Sequence, residues 1–172
     1  MAERSLTSAY FEGIFAGDAD PWGLASSPYE AAKFDRTIAA LSARRAAFAL
    51  EVVCAGGVLT ERLSAVCDRM LAIDVSPTAL ERARQRLSGR RNVRFEAAAF
   101  PRDCPVLDGL DLVVLSEVAY YWSVADLDLS TRRIADGWVE GDASFWCTGP
   151  ARPTIPKPPT TPWNACGSDC RT

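Results

Sequence analysis

The chain contains no histidine. That absence removes Ser-His-Asp and Cys-His nucleophilic catalysis and takes away the commonest transition-metal ligand. Cysteine does not replace it. Cys54, Cys67, Cys104, Cys147, Cys166 and Cys170 are scattered, with no C-x-x-C spacing among them, and the first four fall in or beside expected core elements, where free cysteine behaves as a small apolar residue. No metal site is expected. Any chemistry must come from carboxylates, phenols, or a cofactor that brings its own reactive group.

Other features are scarce too. No apolar run approaches the length of a membrane span, and Met1-Ala-Glu-Arg-Ser5 opens without the apolar stretch of a secretory leader. The net charge is only −3 over 172 residues, so no strong pull toward nucleic acid or a membrane surface is implied. The densest basic run, Arg82, Arg84, Arg86, Arg90, Arg91 and Arg94, has its helical members off the apolar Leu80–Ala83–Leu87 face, which reads as a solvated helix surface. One domain and a cytoplasmic location are expected, with neither a nucleic-acid nor a membrane partner.

What is present is an alternation of strand and helix patterns. Residues 8–41 read as two helical pieces around the breaker-rich turn Asp18-Ala-Asp-Pro-Trp-Gly23. The second piece opens on Ser27-Pro-Tyr-Glu30, with serine as cap, proline at the first helical position and Glu30 completing a capping box. Then follow a strand over Phe48–Cys54, a helix over Val58–Cys67, a strand over Arg69–Asp74 and a helix over Pro77–Leu87. Strands over Asn92–Glu96 and Leu110–Ser116, a helix over Asp126–Trp138 and a strand over Ala143–Cys147 complete the series. Such alternation predicts right-handed βαβ units and a parallel sheet. Six prolines between Pro150 and Pro162 then predict an extended or irregular tail over residues 148–172.

In open α/β sheets, ligands bind beyond the carboxyl ends of the strands, and four strand ends here carry candidate groups. Glu51 precedes the small residues Ala55, Gly56 and Gly57; an acid there can accept a hydrogen bond from a cationic amine, while small residues admit close backbone approach. Asp74 closes the second strand, where a carboxylate can accept both hydroxyls of a ribose. Phe100, after Ala98 and Ala99, can stack on an adenine. Ser116-Glu117-Val118-Ala119-Tyr120-Tyr121 brings a carboxylate and two phenols to the fourth strand end. The two tyrosines, being adjacent, are expected to point different ways, with one facing the pocket. The G-x-G-x-x-G of dinucleotide oxidoreductases is missing, and Glu51 would repel a pyrophosphate. A ligand with an amino-acid end explains that acid better, which leaves an NAD-dependent oxidoreductase the weakest reading.

These residues carry a resemblance. Asp20-Pro-Trp22, Ser27-Pro-Tyr-Glu30, Leu50-Glu-Val-Val-Cys-Ala-Gly-Gly-Val-Leu-Thr-Glu-Arg-Leu63, Ile73-Asp-Val-Ser-Pro77 and Asp111-Leu-Val-Val-Leu-Ser-Glu-Val-Ala-Tyr-Tyr121 are similar to class I methyltransferases. More narrowly, over roughly residues 8–141, the chain resembles the nodulation protein NodS family, which methylates the free amine of a chitooligosaccharide. The resemblance implies an α/β, Rossmann-like doubly wound sheet of the class I methyltransferase type, mostly parallel. It implies a methyltransferase domain over residues 1–147, with an N-terminal helical lid over about residues 1–45. It also implies S-adenosyl-L-methionine as cofactor and an amine on an oligosaccharide or other small molecule as methyl acceptor. By position, Glu51, Val53, Ala55 and Gly57 would surround the methionine moiety. Asp74 would hold the ribose, Val75 would pack on the adenine, and Ala99, Phe100 and Ser116 would complete the cofactor site. Glu117 and Tyr120 or Tyr121 would line the methyl-transfer site, and Trp22 and Tyr29 would help cover the pocket from the N-terminal segment.

The chain departs from the family pattern in three places. Val53 replaces the first loop glycine, although a β-branched residue takes a positive φ only at a cost. Ala99 stands where an acid for the adenine amino group is expected. After Gly141-Asp-Ala-Ser-Phe-Trp-Cys147 the pattern gives way to prolines, so the family's last strands are expected to be missing through a frameshift or truncation near residues 141–150. Sequencing the coding DNA tests this; an intact frame with no alternative frame encoding those strands sinks it. The competing expectation is an inactive remnant with weak or no cofactor binding.

Overall fold

The computed structural model describes residues 5–138 and the backbone of residues 144–148. The expected tail beyond Thr148, with Cys166 and Cys170, lies outside the described residues, as do residues 141–143 of the expected break. Two N-terminal helices come first, α1 (Ser8–Gly17) and α2 (Pro28–Leu41). The alternating part then runs β1 (Ala46–Val52), α3 (Val58–Leu63), β2 (Cys67–Asp74), α4 (Pro77–Arg86), β3 (Val93–Ala97), β4 (Leu112–Ser116), α5 (Val124–Gly137) and β5 (Ser144–Thr148), with a 3₁₀ turn at Ala119–Tyr121.

The five strands form one sheet in the order β3-β2-β1-β4-β5, and all four pairings are parallel. Both faces are covered, and period-two alternation sorts the side chains. Ala49, Met70, Ala72, Leu112 and Val114 pack with Phe34, Leu59, Leu63 and Leu80 on one face. Leu50, Val52, Leu71, Ile73, Val113 and Leu115 pack with Leu110, Trp122 and Ile134 on the other. Burial on both faces explains why these strands read as nearly unbroken apolar runs. The strand order turns back between β1 and β4, which sets a crevice at their carboxyl ends.

The helix starts follow their caps. The hydroxyl oxygens of Ser76 and Ser123 accept from the amides of Ala79 (3.0 Å) and Asp126 (3.2 Å), and Pro77 sits in the first turn of α4. Ser27 caps α2 by accepting from the Glu30 amide at 3.5 Å, but the expected capping box is only half made. The Ser27 amide already donates to the Gly23 carbonyl at 2.8 Å, so the Glu30 carboxylate turns instead to Lys33, 2.6 Å away.

A second correction concerns α3, which ends at Leu63 rather than Cys67. The Asn92 side chain donates to the Ser64 and Cys67 carbonyls, at 2.8 and 3.2 Å, and holds the segment between them as a turn. Strand β2 accordingly starts two residues earlier than expected.

Candidate active site

The loop after β1 keeps its tight course without glycine at its head. Val53 has φ +65° and Ala55 φ +49°, conformations costing on the order of 1–3 kcal/mol each for non-glycine residues. Val53 therefore does adopt the left-handed backbone that its branching disfavours. The loop is pinned on both sides: the Cys54 amide donates to the Ile73 carbonyl at 3.0 Å, and the Ala55 amide donates to Asp74 Oδ2 at 2.9 Å. Gly57, at φ +80°, serves packing more than ligand approach, since a Cβ there would lie 2.9 Å from Leu87 Cδ1 and 3.1 Å from the Ala83 backbone.

Glu51 projects from β1 toward α3, fully buried, and accepts from the Thr60 hydroxyl at 2.6 Å. Burial, more than the nearby Asp74 charge, pushes its carboxyl up to about 8. Asp74 closes β2 with 1% exposure. Its Oδ1 accepts from the Ser76 amide at 2.9 Å and its Oδ2 from Ala55. Burial raises its carboxyl in spite of these bonds. A carboxylate offers about four lone-pair sites, and with the Val75 amide also directed at it capacity remains for a hydroxyl donor. Val75 is half-buried beside it.

The N-terminal helices close over this end of the sheet. Phe15 of α1 is buried against Ala55 and Ala79 and packs edge-on to Trp22, with ring centroids 5.2 Å apart. Glu12 of α1 reaches the start of α4, where it accepts from the Ser76 hydroxyl at 2.5 Å, the Thr78 hydroxyl, and the Thr78 amide at 3.3 Å. These bonds lower its carboxyl below the ordinary range. Further along, the Leu6 amide donates to the Tyr121 carbonyl at 3.3 Å, and Phe11 meets the Tyr121 ring edge-on at 5.3 Å.

Beyond β4, Glu117 sits at φ +57° with Lys33 Nζ of α2 3.3 Å from its Oε1. Tyr120 and Tyr121 do not point apart as their adjacency suggested: their ring centroids are 4.4 Å apart. A 3₁₀ turn spaces successive side chains by about 120°, close enough for two long flat rings to fold together. Burial, then contact with Tyr121 and the Glu117 charge, raises the Tyr120 phenol, which keeps it a neutral hydroxyl.

The sequence-chosen residues thus divide. Glu51, Val53, Ala55, Asp74, Ser116, Glu117, Tyr120 and Tyr121 gather at the carboxyl ends of β1, β2 and β4. Phe100 does not present an open face: it is 6% exposed and packs against Trp122 in the core. Ala99 is half-buried and its carbonyl accepts from the amides of Arg102 and Asp103. Tyr29 is 68% exposed on α2. Sequence reasoning missed Glu12, Thr60 and Lys33. Lys33 carried a signal, since Glu30 and Lys33 share the face of α2 that holds Phe34 and Thr37, and a charge pair on an apolar helix face implies a partner across the interface. Among the described residues no cluster of Cys, Asp and Glu suits a metal ion, and no helix is long and apolar enough to cross a membrane.

The profile of the family Nodulation protein S (NodS) matches residues 15–143. The chain belongs to the NodS family. Nodulation protein S of Bradyrhizobium diazoefficiens is 36% identical over 104 residues, 59% of this chain and 49% of that protein. The protein of the same name from Rhizobium tropici is 33% identical over 119 residues, 69% of this chain and 48% of its own. The chain therefore spans about half the length of the curated relatives it matches. Among solved structures, the N-methyltransferase NodS of Bradyrhizobium japonicum in complex with S-adenosyl-L-homocysteine superposes with a TM-score of 0.70 at 26% identity, covering 78% of this chain and 69% of that one. The DhpI complex with S-adenosylhomocysteine, at 20% identity and a TM-score of 0.65, shares the fold. The Rossmann-like, doubly wound sheet expected from the sequence is the one observed.

Proposed function

We propose that this NodS-family chain binds S-adenosyl-L-methionine and transfers its methyl group to an amine, with a chitooligosaccharide amine as the favoured acceptor. The observation that carries this reading is the placement of Asp74 and Glu117 on either side of the β1 loop, at the switch point of the strand order. Asp74 has spare acceptor capacity for a ribose hydroxyl, and Val75 beside it supplies apolar surface for the base. Glu51, Ala55 and the left-handed Val53 shape the space for an amino-acid end. When bound, the cofactor supplies an electrophilic methyl on a sulfonium, so the protein needs to present a neutral amine in line. Glu117 accepts the proton the amine gives up, directly or through water, while Tyr120, held neutral, donates a hydrogen bond at the same rim. Helices α1 and α2 form the lid, with Trp22 and Tyr29 on the acceptor side.

A second reading, a non-catalytic remnant, has two observations in its favour. Val53 and Ala55 both hold strained backbone, and Asp74 lies covered beneath α1. Calorimetric titration with S-adenosylhomocysteine separates the two. Micromolar binding, followed by methyl transfer to chitotetraose freed of its terminal acetyl group, supports the enzyme. No heat and no thermal shift support the remnant. If Glu117→Gln turns over as fast as the parent, Glu117 is not the proton acceptor.

A further inference from the structure

We infer that Lys33 is a positioning residue for Glu117, fixing the rim carboxylate that faces the acceptor from a helix outside the sheet. The inference rests on the proposed methyl-transfer reading and deepens it. Glu117 is a non-glycine residue at φ +57°, and such a conformation persists only where its surroundings over-determine it. Lys33 supplies a tether. Its Nζ lies 3.3 Å from Glu117 Oε1 and 2.6 Å from Glu30 Oε2, and 5.7 Å from the centre of the Phe34 ring.

The three charged side chains differ in exposure. Those of Lys33 and Glu30 are 12% and 14% exposed, that of Glu117 32%. Lys33 and Glu30 thus form the covered base of the cluster, and Glu117 is the member open to a ligand. Phe34 anchors the base in the core at 3% exposure, so α2 transmits a fixed position to the end of β4. A carboxylate with one oxygen tethered from behind can present its other oxygen in a constant direction, which is what orienting an acceptor amine requires.

Two measurements test this. The first needs no ligand: thermal unfolding of the parent, Lys33→Met, Glu117→Gln and the double variant. Loss of Lys33 is expected to lower Tm more with Glu117 present than with glutamine there; strictly additive losses overturn the tether. The second is calorimetry with S-adenosylhomocysteine, then with terminally deacetylated chitotetraose added to that complex. Lys33→Met is expected to keep cofactor-product affinity within twofold and to weaken the oligosaccharide at least fivefold, and Lys33→Arg is expected to restore most of the loss. Equal oligosaccharide affinity in the parent and Lys33→Met overturns the positioning role. Absence of S-adenosylhomocysteine binding in the parent sinks the methyltransferase reading instead, and the unfolding cycle then decides on the tether by itself.

Discussion

Asp74 Oδ2 accepts a 2.9 Å hydrogen bond from the Ala55 amide, so the acid at the end of β2 also closes the loop that follows β1. With the Ser76 amide on its other oxygen, one buried carboxylate orders three consecutive pieces of the crevice. Asp74→Asn keeps the shape but turns an NH2 toward one of the two amides. A buried hydrogen bond to a charged group contributes about 1.5–3 kcal/mol. Asp74→Asn is therefore expected to lower Tm by several degrees and to weaken S-adenosylhomocysteine by tenfold or more, read by calorimetry. Undiminished affinity would remove Asp74 from the cofactor site.

Val53 provides a test of backbone strain that does not depend on ligand. Val53→Ala and Val53→Gly delete the same partly buried side chain, which packs on the core of the α5 face, so their difference isolates the cost of φ +65°. At ordinary positions glycine is less stable than alanine by roughly 0.5–1 kcal/mol. Here the order is expected to invert, with Val53→Gly the more stable of the two in urea unfolding. The usual order would mean that the loop relaxes out of the left-handed region.

Much of this molecule was legible beforehand because its signals are local. Ser76-Pro77 and Ser27-Pro28 start helices by chemistry confined to a few residues, and fully buried parallel strands such as β4 announce themselves as apolar runs. The carboxylates Asp74 and Glu117 were legible for the same reason, since the first closes β2 and the second directly follows β4. Contacts made across the fold were not. Phe100 reads as a free aromatic after β3 until Trp122, 22 positions later in the chain, is seen to cover it. Glu30 reads as half of a capping box until Gly23 takes the amide it would have capped. Glu12 carried no local mark at all, because its partners Ser76 and Thr78 lie on another helix.

Tyr120 is raised by burial first and then by Tyr121 and Glu117, so it stays protonated beyond the range of an ordinary tyrosine, about 10. Alkaline titration of tyrosinate absorbance is expected to give coincident curves for the parent and Tyr120→Phe up to about pH 11. A step near pH 10 lost in the variant would contradict the neutral-donor role. A proton acceptor at this rim then has to be Glu117 or water.

Glu51 makes stability depend on pH with a defined sign. Its carboxyl is pushed up to about 8 by burial, whereas an unfolded chain's glutamate titrates near about 4.3. Between those values the native state holds the extra proton, so rising pH favours unfolding by up to about 1.4 kcal/mol per pH unit. The stabilising contribution of protonated Glu51 is complete below the unfolded value and is lost as pH climbs to about 8. Asp74, also raised by burial, acts in the same direction, while Glu12 and Asp111, both lowered, lose their contributions only as the solution turns acid. Comparing the parent with Glu51→Gln cancels those other groups. Glutamine keeps an acceptor for the Thr60 hydroxyl and cannot ionise, so its Tm is expected to hold where that of the parent falls. The gap should widen from pH 5 to pH 8 by several degrees, at about 2–4 °C per kcal/mol for a chain of this size. Parallel Tm profiles for the two proteins would mean that Glu51 is ionised in the native state throughout, and that Thr60 is not its only source of charge compensation.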